Sequence, residues 1–198
     1  LLYRFADRGW VCVSANYRLR PQAGFPDHMA DAKRALAWLH EHAGDYGGDG
    51  RRVVMSGSSA GAHMSSISAL SQQDPRYQPG FESADTSVSA VVGLYGYYGP
   101  YYGDDWNAAL PSSPLVMDAS SAPPFFLTHG TVDNNAPVEN SRELAAKLRA
   151  EAPTRPVYAE LPGAQHGFDL VSSWRFEAIL DGIQDFTDAV LPVSVNRR

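Results

Sequence analysis

The pentapeptide Gly57-Ser58-Ser59-Ala60-Gly61 has the form G-x-S-x-G and lies between the apolar run Val53-Val54-Met55 and a helix-like stretch from Ala60 to about Gln73. A strand that turns sharply into a helix strains the backbone of its middle residue, needs small neighbours on both sides, and lifts the serine hydroxyl clear of the sheet at the helix N-terminus. Ser59 is therefore the candidate nucleophile. Gly/Ser/Ala clusters also occur in ordinary turns, so the pentapeptide gains meaning only with a base and an orienting carboxylate elsewhere in the chain. In this strand-helix architecture the chain order is serine, then Asp or Glu, then histidine. Downstream, residues 124–130 read as a buried strand followed by a turn holding Asp133, and residues 157–161 as another, followed by a loop holding His166. Both residues fall just past C-terminal strand ends, where open α/β sheets place their reacting groups.

The rivals fit less well. His63 lies one helical turn beyond Ser59 and points along the helix, which suits a packing histidine. His28, His40 and His42 share an amphipathic helix far from any strand end and are expected at the surface or half-buried. His129 sits at a strand-to-turn transition and suits a hydrogen-bonding support of the Asp133 loop. For the acid, Asp118 precedes its strand, Asp169 follows the histidine, and Glu139 lies within a helix beginning near Pro137.

The elements that must position these groups alternate. The opening residues 1–9 look like the last turns of a helix closed by Gly9. A strand is expected over 10–16, and a helix from Pro26 to about Ala43, with Met29, Leu36, Trp38 and Leu39 as its apolar face and Gly44 ending it. The elbow strand and its helix follow, then a polar loop over 74–86, a strand over 88–94, an irregular aromatic-rich segment over 95–123, and the strand at Phe125. A helix over 137–151, a strand over 157–161 and a helix over 173–190 close the chain. Five strands separated by helices predict one α/β domain with a mainly parallel sheet covered by helices on both faces.

Composition fits one such domain and by itself decides little more. With 198 residues, 44% of them hydrophobic, the chain is long enough for one well-buried core. A net charge of −6 and the lack of a basic stripe argue against a nucleic-acid partner. The single cysteine, Cys12, excludes an internal disulfide and lies in an apolar run as a buried small hydrophobe. No metal-spacing cluster of His, Cys or carboxylates appears, and the chemistry outlined above calls for no cofactor. No apolar stretch approaches the roughly 18 residues of a membrane span. The domain thus reads as soluble, with any signal or membrane segment lying upstream of Leu1, and its oligomeric state is left open.

Taken together, Asn16-Tyr17-Arg18-Leu19 with Pro21, Phe25 and Pro26, the pentapeptide at Ser59, Ser113-Pro114, Pro123-Pro124, His129-Gly130 with Asp133, and Gln165-His166-Gly167-Phe168 resemble the α/β-hydrolase superfamily. The resemblance is nearest to the hormone-sensitive-lipase-like carboxylesterases and to feruloyl-esterase-like proteins. It implies a three-layer α/β-hydrolase fold and a Ser59-His166-Asp133 triad acting on a small-molecule ester through an acyl-enzyme. Two departures stand out. Many relatives carry an acidic residue where this chain has Ser58. The His-Gly-Gly-Gly-like loop that supplies part of the oxyanion hole has no match here, leaving the Ala60 N–H, at a helix N-terminus, as one donor. The resembled fold places that loop's strand between the strands at 10–16 and 52–55. Its absence would leave two apolar edges unpaired in mid-sheet, at about 1–3 kcal/mol per buried group, so the chain is expected to be an N-terminally truncated piece lacking the N-terminal strands.

Substrate class rests on Tyr95, Tyr97, Tyr98, Tyr101, Tyr102 and Trp106, an aromatic cluster after the strand that follows the elbow helix, which with Ser58 and Phe168 would wall a pocket or else simply pack an irregular loop. Residues 95–123 leave no room for a large multi-helix lid, so small or medium acyl or aromatic esters are expected. A prolyl-oligopeptidase-like serine peptidase or other acyl hydrolase uses the same triad order, and a catalytically inactive hydrolase-like binding protein shares the fold; these are the alternative functions.

Overall fold

A computed structural model describes residues 1–101 and 109–192. Four strands, β1 (Val54–Ser58), β2 (Ala90–Leu94), β3 (Phe125–Gly130) and β4 (Val157–Leu161), form one sheet in the order β1-β2-β3-β4 with every pair parallel. Helices are α1 (Leu2–Ala6), α2 (Asp27–His42), α3 (Ala60–Leu70), α4 (Val138–Glu151) and α5 (Trp174–Val190). Helix α3 carries the chain from β1 to β2 and α4 from β3 to β4, which parallel pairing requires.

Side-chain alternation assigns the two faces. Val91, Phe125 and Leu127 pack with Leu36 of α2, Ala62 and Ala69 of α3, and Leu144, Ala145 and Leu148 of α4. Their neighbours Ala90, Val92, Leu94 and Phe126 point the other way, against Phe5 of α1 and Phe176, Ile179, Leu180, Ile183 and Phe186 of α5. Strands β2 and β3 are buried at every position, and β2 and the first half of β3 read as apolar runs for that reason. The result is the expected three-layer arrangement of a parallel sheet with helices on both faces.

The segment over 10–16 is not a strand. Trp10 and Cys12 lean on the α5-side core, and the Trp10 indole N–H donates to Gln184 Oε1 at 3.1 Å, while Val11 and Val13 are exposed. A strand exists only by sharing a ladder, and among the described residues nothing pairs with this segment or with the outer edge of β1. Among the described residues the sheet therefore has its two edges at β1 and β4 and no gap in its middle. Cys12 is half-buried and is no core residue. Arg18, in the Asn16–Leu19 run, is held to α2 by a fork of two bonds to Asp31, each 2.9 Å.

Smaller corrections concern α2. Beyond Gly44 the chain continues as a 3₁₀ turn, Ala43–Tyr46, and the left-handed residue that closes it is Gly47 at φ 80°. Trp38 is exposed, and the inward face includes His28 and Lys33, both fully buried. Helix α5 starts as expected, with the Ser173 hydroxyl accepting the Phe176 N–H at 3.1 Å.

Candidate active site

Ser59 stands between β1 and α3 with φ 55° and ψ −118°, a conformation costly for a residue with a side chain and the strain the pentapeptide predicts. Its N–H donates to Leu94 O of β2 at 2.9 Å, so the elbow is pinned to the adjacent strand end. Gly57 is required by close approach: a Cβ there would lie 2.3 Å from the backbone carbon of Gly61. A Cβ on Gly61 itself would meet nothing within 4 Å. Only one glycine of the motif is demanded by packing.

Asp133 and His166 converge on this serine from two other strand ends. His166 Nε2 is 2.9 Å from Ser59 Oγ, and His166 Nδ1 is 2.7 Å from Asp133 Oδ2. An ionised carboxylate only accepts, so Nδ1 carries the proton and Nε2 is left to accept from the serine hydroxyl. The Asp133 side chain has no exposed surface. Burial by itself would raise its carboxyl, but the N–H groups of Ala136 and Asn135, each 2.9 Å from Oδ1, together with the His166 bond outweigh that and hold it below the usual carboxylate range. This chain of hydroxyl, imidazole and buried carboxylate is competent to activate an oxygen nucleophile.

His129 supports the acid. It is fully buried; its Nε2 lies 3.0 Å from Ala136 O and 3.2 Å from Asp133 Oδ2, and its Nδ1 lies 2.7 Å from Ser141 Oγ. The Ala136 carbonyl can only accept, so His129 is the Nε2–H tautomer, and burial holds its pKa below the ordinary value and the ring neutral. Asp133 Oδ2 thus accepts the His166 Nδ1–H, with the neutral His129 ring packed close beside it.

Ala60 opens α3, so its N–H has no acceptor within the helix and faces the elbow side. The aromatic cluster divides. Tyr98 is buried in the α4-side core, and Tyr95 is buried against His166, with ring centroids 4.5 Å apart, so neither hydroxyl lines an open pocket. Tyr101 is stacked on His28 and on His63. Tyr97 keeps 37% of its surface exposed and Phe168 is half-buried against Tyr95. Ser58 is half-buried at the end of β1. Tyr102 and Trp106 lie outside the described residues. His63 is buried, as a packing residue should be; His28 is buried too, although the amphipathic pattern of α2 places it near the surface. Asp169 bonds the Tyr95 hydroxyl and takes no part in the His166–Asp133 pair. No local periodicity marks that Tyr95–Asp169 contact in the sequence.

The family model BD-FAE matches residues 1–101. The chain belongs to the BD-FAE family. With it come esterases of the α/β-hydrolase group. Esterase LipQ of Mycobacterium tuberculosis (strain ATCC 25618 / H37Rv) is 39% identical over 211 residues, covering 96% of this chain and 50% of that protein. The probable carboxylic ester hydrolase LipM of the same strain is 39% identical over 208 residues, covering 94% and 48%. The chain thus spans about half the length of these curated relatives. Among solved structures, the thermophilic esterase Est2 of the planctomycete Thermogutta terrifontis superposes with a TM-score of 0.83 at 25% identity, over 100% of this chain and 76% of that one. Forms of that esterase phosphorylated by paraoxon and with propionate bound match with TM-scores of 0.81 and 0.79.

Proposed function

We propose that this BD-FAE-family protein is a serine hydrolase of carboxylic esters that works through a Ser59-His166-Asp133 triad and an acyl-enzyme. The observation that carries the reading is the single imidazole bridging the two other groups, 2.9 Å from the Ser59 hydroxyl and 2.7 Å from the buried Asp133 carboxylate. The esterase names of LipQ and LipM support the reaction class.

As Ser59 Oγ attacks the ester carbonyl, His166 Nε2 takes its proton, and Asp133 stabilises the resulting imidazolium without itself being protonated. The Ala60 N–H contributes a donor to the carbonyl oxygen as it becomes an oxyanion. Collapse of the tetrahedral intermediate expels the alcohol, which receives the proton from His166. Water, deprotonated by the same nitrogen, then attacks the acyl-enzyme, and as the second tetrahedral intermediate collapses His166 returns the proton to Ser59 Oγ and the acid is released.

Within this proposal the substrates are small to medium acyl or aromatic esters. Among the described residues the connection between β2 and β3 carries one 3₁₀ turn, Pro114–Val116, and the aromatic surface left open near the elbow helix is that of Tyr97. The propionate bound to Thermogutta terrifontis Est2 is a short acid of the expected kind.

Steady-state hydrolysis of p-nitrophenyl acetate, butyrate and palmitate, with a dipeptide p-nitroanilide alongside, tests the reading. Turnover of the two short esters, lost in Ser59→Ala, is expected. Near-normal ester turnover by Ser59→Ala, or cleavage of the anilide without the esters, would overturn it.

A further inference from the structure

The loop that carries His166 is tied to neighbouring elements by backbone bonds before the histidine and by side chains after it. Before it, three bonds tie the loop down: Gly163 N–H to Thr131 Oγ1 at 2.9 Å, Ala164 N–H to Leu161 O at 3.1 Å, and Val132 N–H to Ala164 O at 3.2 Å. Beyond it, Gly167 sits at φ 73° and accepts the Leu170 N–H at 3.0 Å, Phe168 packs half-buried against the α5-side core, and Leu170 and Val171 are 83% and 70% exposed. Between them stands Asp169, whose Oδ1 accepts the hydroxyl of Tyr95.

Tyr95 is itself held in an unusual way. It is 3% exposed and has φ 40°, left-handed backbone that an aromatic residue adopts only at a cost. Its N–H donates to Thr128 O at 2.7 Å, and the residue before it, Leu94, accepts the Ser59 N–H at 2.9 Å. One strand end therefore fixes the elbow and Tyr95 together. From there the phenol ring meets the imidazole of His166 edge-on, with centroids 4.5 Å apart at 63°, and Phe168 at 5.0 Å and 76°. A ring on one side and a hydroxyl reaching three residues further along the same loop make a clasp around His166.

We infer that Tyr95 and Asp169 are positioning residues for the His166 base: the Tyr95–Asp169 hydrogen bond fixes the far end of the loop, and the Tyr95 ring sets the plane in which the imidazole meets Ser59. Burial and the Asp169 bond both push the phenol's pKa up, so it remains the donor of this bond at any working pH. The inference rests on the esterase reading and adds the means by which His166 Nε2 is kept on the serine. Without the bond, His166 keeps its Asp133 partner, but the ring can turn about it and lose the serine. A misplacement of about 1 Å in such a contact lowers turnover by up to about 100-fold.

The test uses Tyr95→Phe, Asp169→Ala, Asp169→Asn and the double Tyr95→Phe/Asp169→Ala, assayed on p-nitrophenyl butyrate with active sites titrated by a fluorophosphonate. Tyr95→Phe keeps the ring and removes the donor. Its kcat per titrated site is expected to fall between about 10-fold and 100-fold, with KM nearly unchanged. Asp169→Ala should match it, the double variant should be no worse than either single, and Asp169→Asn, which keeps an accepting oxygen, should recover most of the loss. Unchanged kcat per site in Tyr95→Phe, additive losses in the double variant, or a loss confined to the fraction of titratable sites would overturn the inference. A wild-type protein with no ester turnover would instead overturn the esterase reading, so the two failures are distinguishable.

Discussion

The two glycines of the Ser59 pentapeptide should respond to alanine in opposite ways. In Gly57→Ala the new methyl would lie 2.3 Å from the Gly61 carbon, 2.5 Å from its oxygen and 2.8 Å from the Ala62 nitrogen. All three are backbone atoms at the start of α3, so no rotamer change relieves the overlap. Restoring ordinary contact, at about 3.5 Å between carbons, moves the helix start by about 1 Å relative to β1. Overpacking of this kind costs about 1–3 kcal/mol, which for a chain of this size lowers Tm by roughly 2–12 °C. The same displacement carries Ser59 away from His166, whose present separation of 2.9 Å leaves little to lose, and turnover should fall about 100-fold. In Gly61→Ala the methyl meets open space, and replacing a helical glycine stabilises by up to about 1 kcal/mol. Thermal melts and p-nitrophenyl butyrate turnover of both variants decide the matter. A Gly57→Ala variant as stable and active as the wild type, or a Gly61→Ala variant as damaged as Gly57→Ala, would refute the packing argument.

Ser59→Ala, His166→Ala and Asp133→Asn should each lower ester turnover by about 10⁴-fold or more while leaving the melting transition in place, and double variants should be hardly worse than the worst single; additive losses in steady-state kinetics would count against a concerted triad. His63→Gln should retain much of the activity and His166→Gln almost none, and the reverse ranking would remove His166 as the base. His63 also carries a pH signature. Burial lowers its pKa from 6.5 to about 4, so between these values the unfolded chain takes up a proton that the folded chain does not. Stability is therefore full above pH 6.5 and falls as pH drops toward 4, by roughly 3 kcal/mol. Denaturant melts at pH 7 and pH 4.5 should show a smaller decrease in His63→Gln than in the wild type, and equal decreases would contradict the assignment.

The parts of the fold that were legible in the sequence are those where local pattern and tertiary demand agree. Helix α5, with its Ser173 cap and apolar stripe, and the all-buried strands at Phe125 and Val91 are of this kind. So are the positions of Asp133 and His166, because strand ends are marked by the apolar runs before them. The segment over 10–16 has a strand's composition, but composition does not supply the neighbour that a ladder needs. Burial of polar residues was the other blind spot. Lys33 is fully buried with its ammonium donating to Ser71 O at the end of α3, at a pKa lowered by burial to about 8, and His28 is buried beside Phe25 and Tyr101. Both lie on a helix whose period alone assigns them to water, and only the partners brought in by α3 and the following loops reverse that. The Tyr95–Asp169 clasp joins residues 74 positions apart, and nothing in either local sequence points to the other.

The most direct test of the central claim, that Ser59 is activated by His166, is covalent trapping with paraoxon followed by intact mass measurement and peptide mapping. The account predicts one diethylphosphoryl group per chain, located on Ser59, formed by the wild type and essentially absent in His166→Gln with the fold intact. Modification of a different residue, or labelling of Ser59 at the same rate without His166, would contradict it.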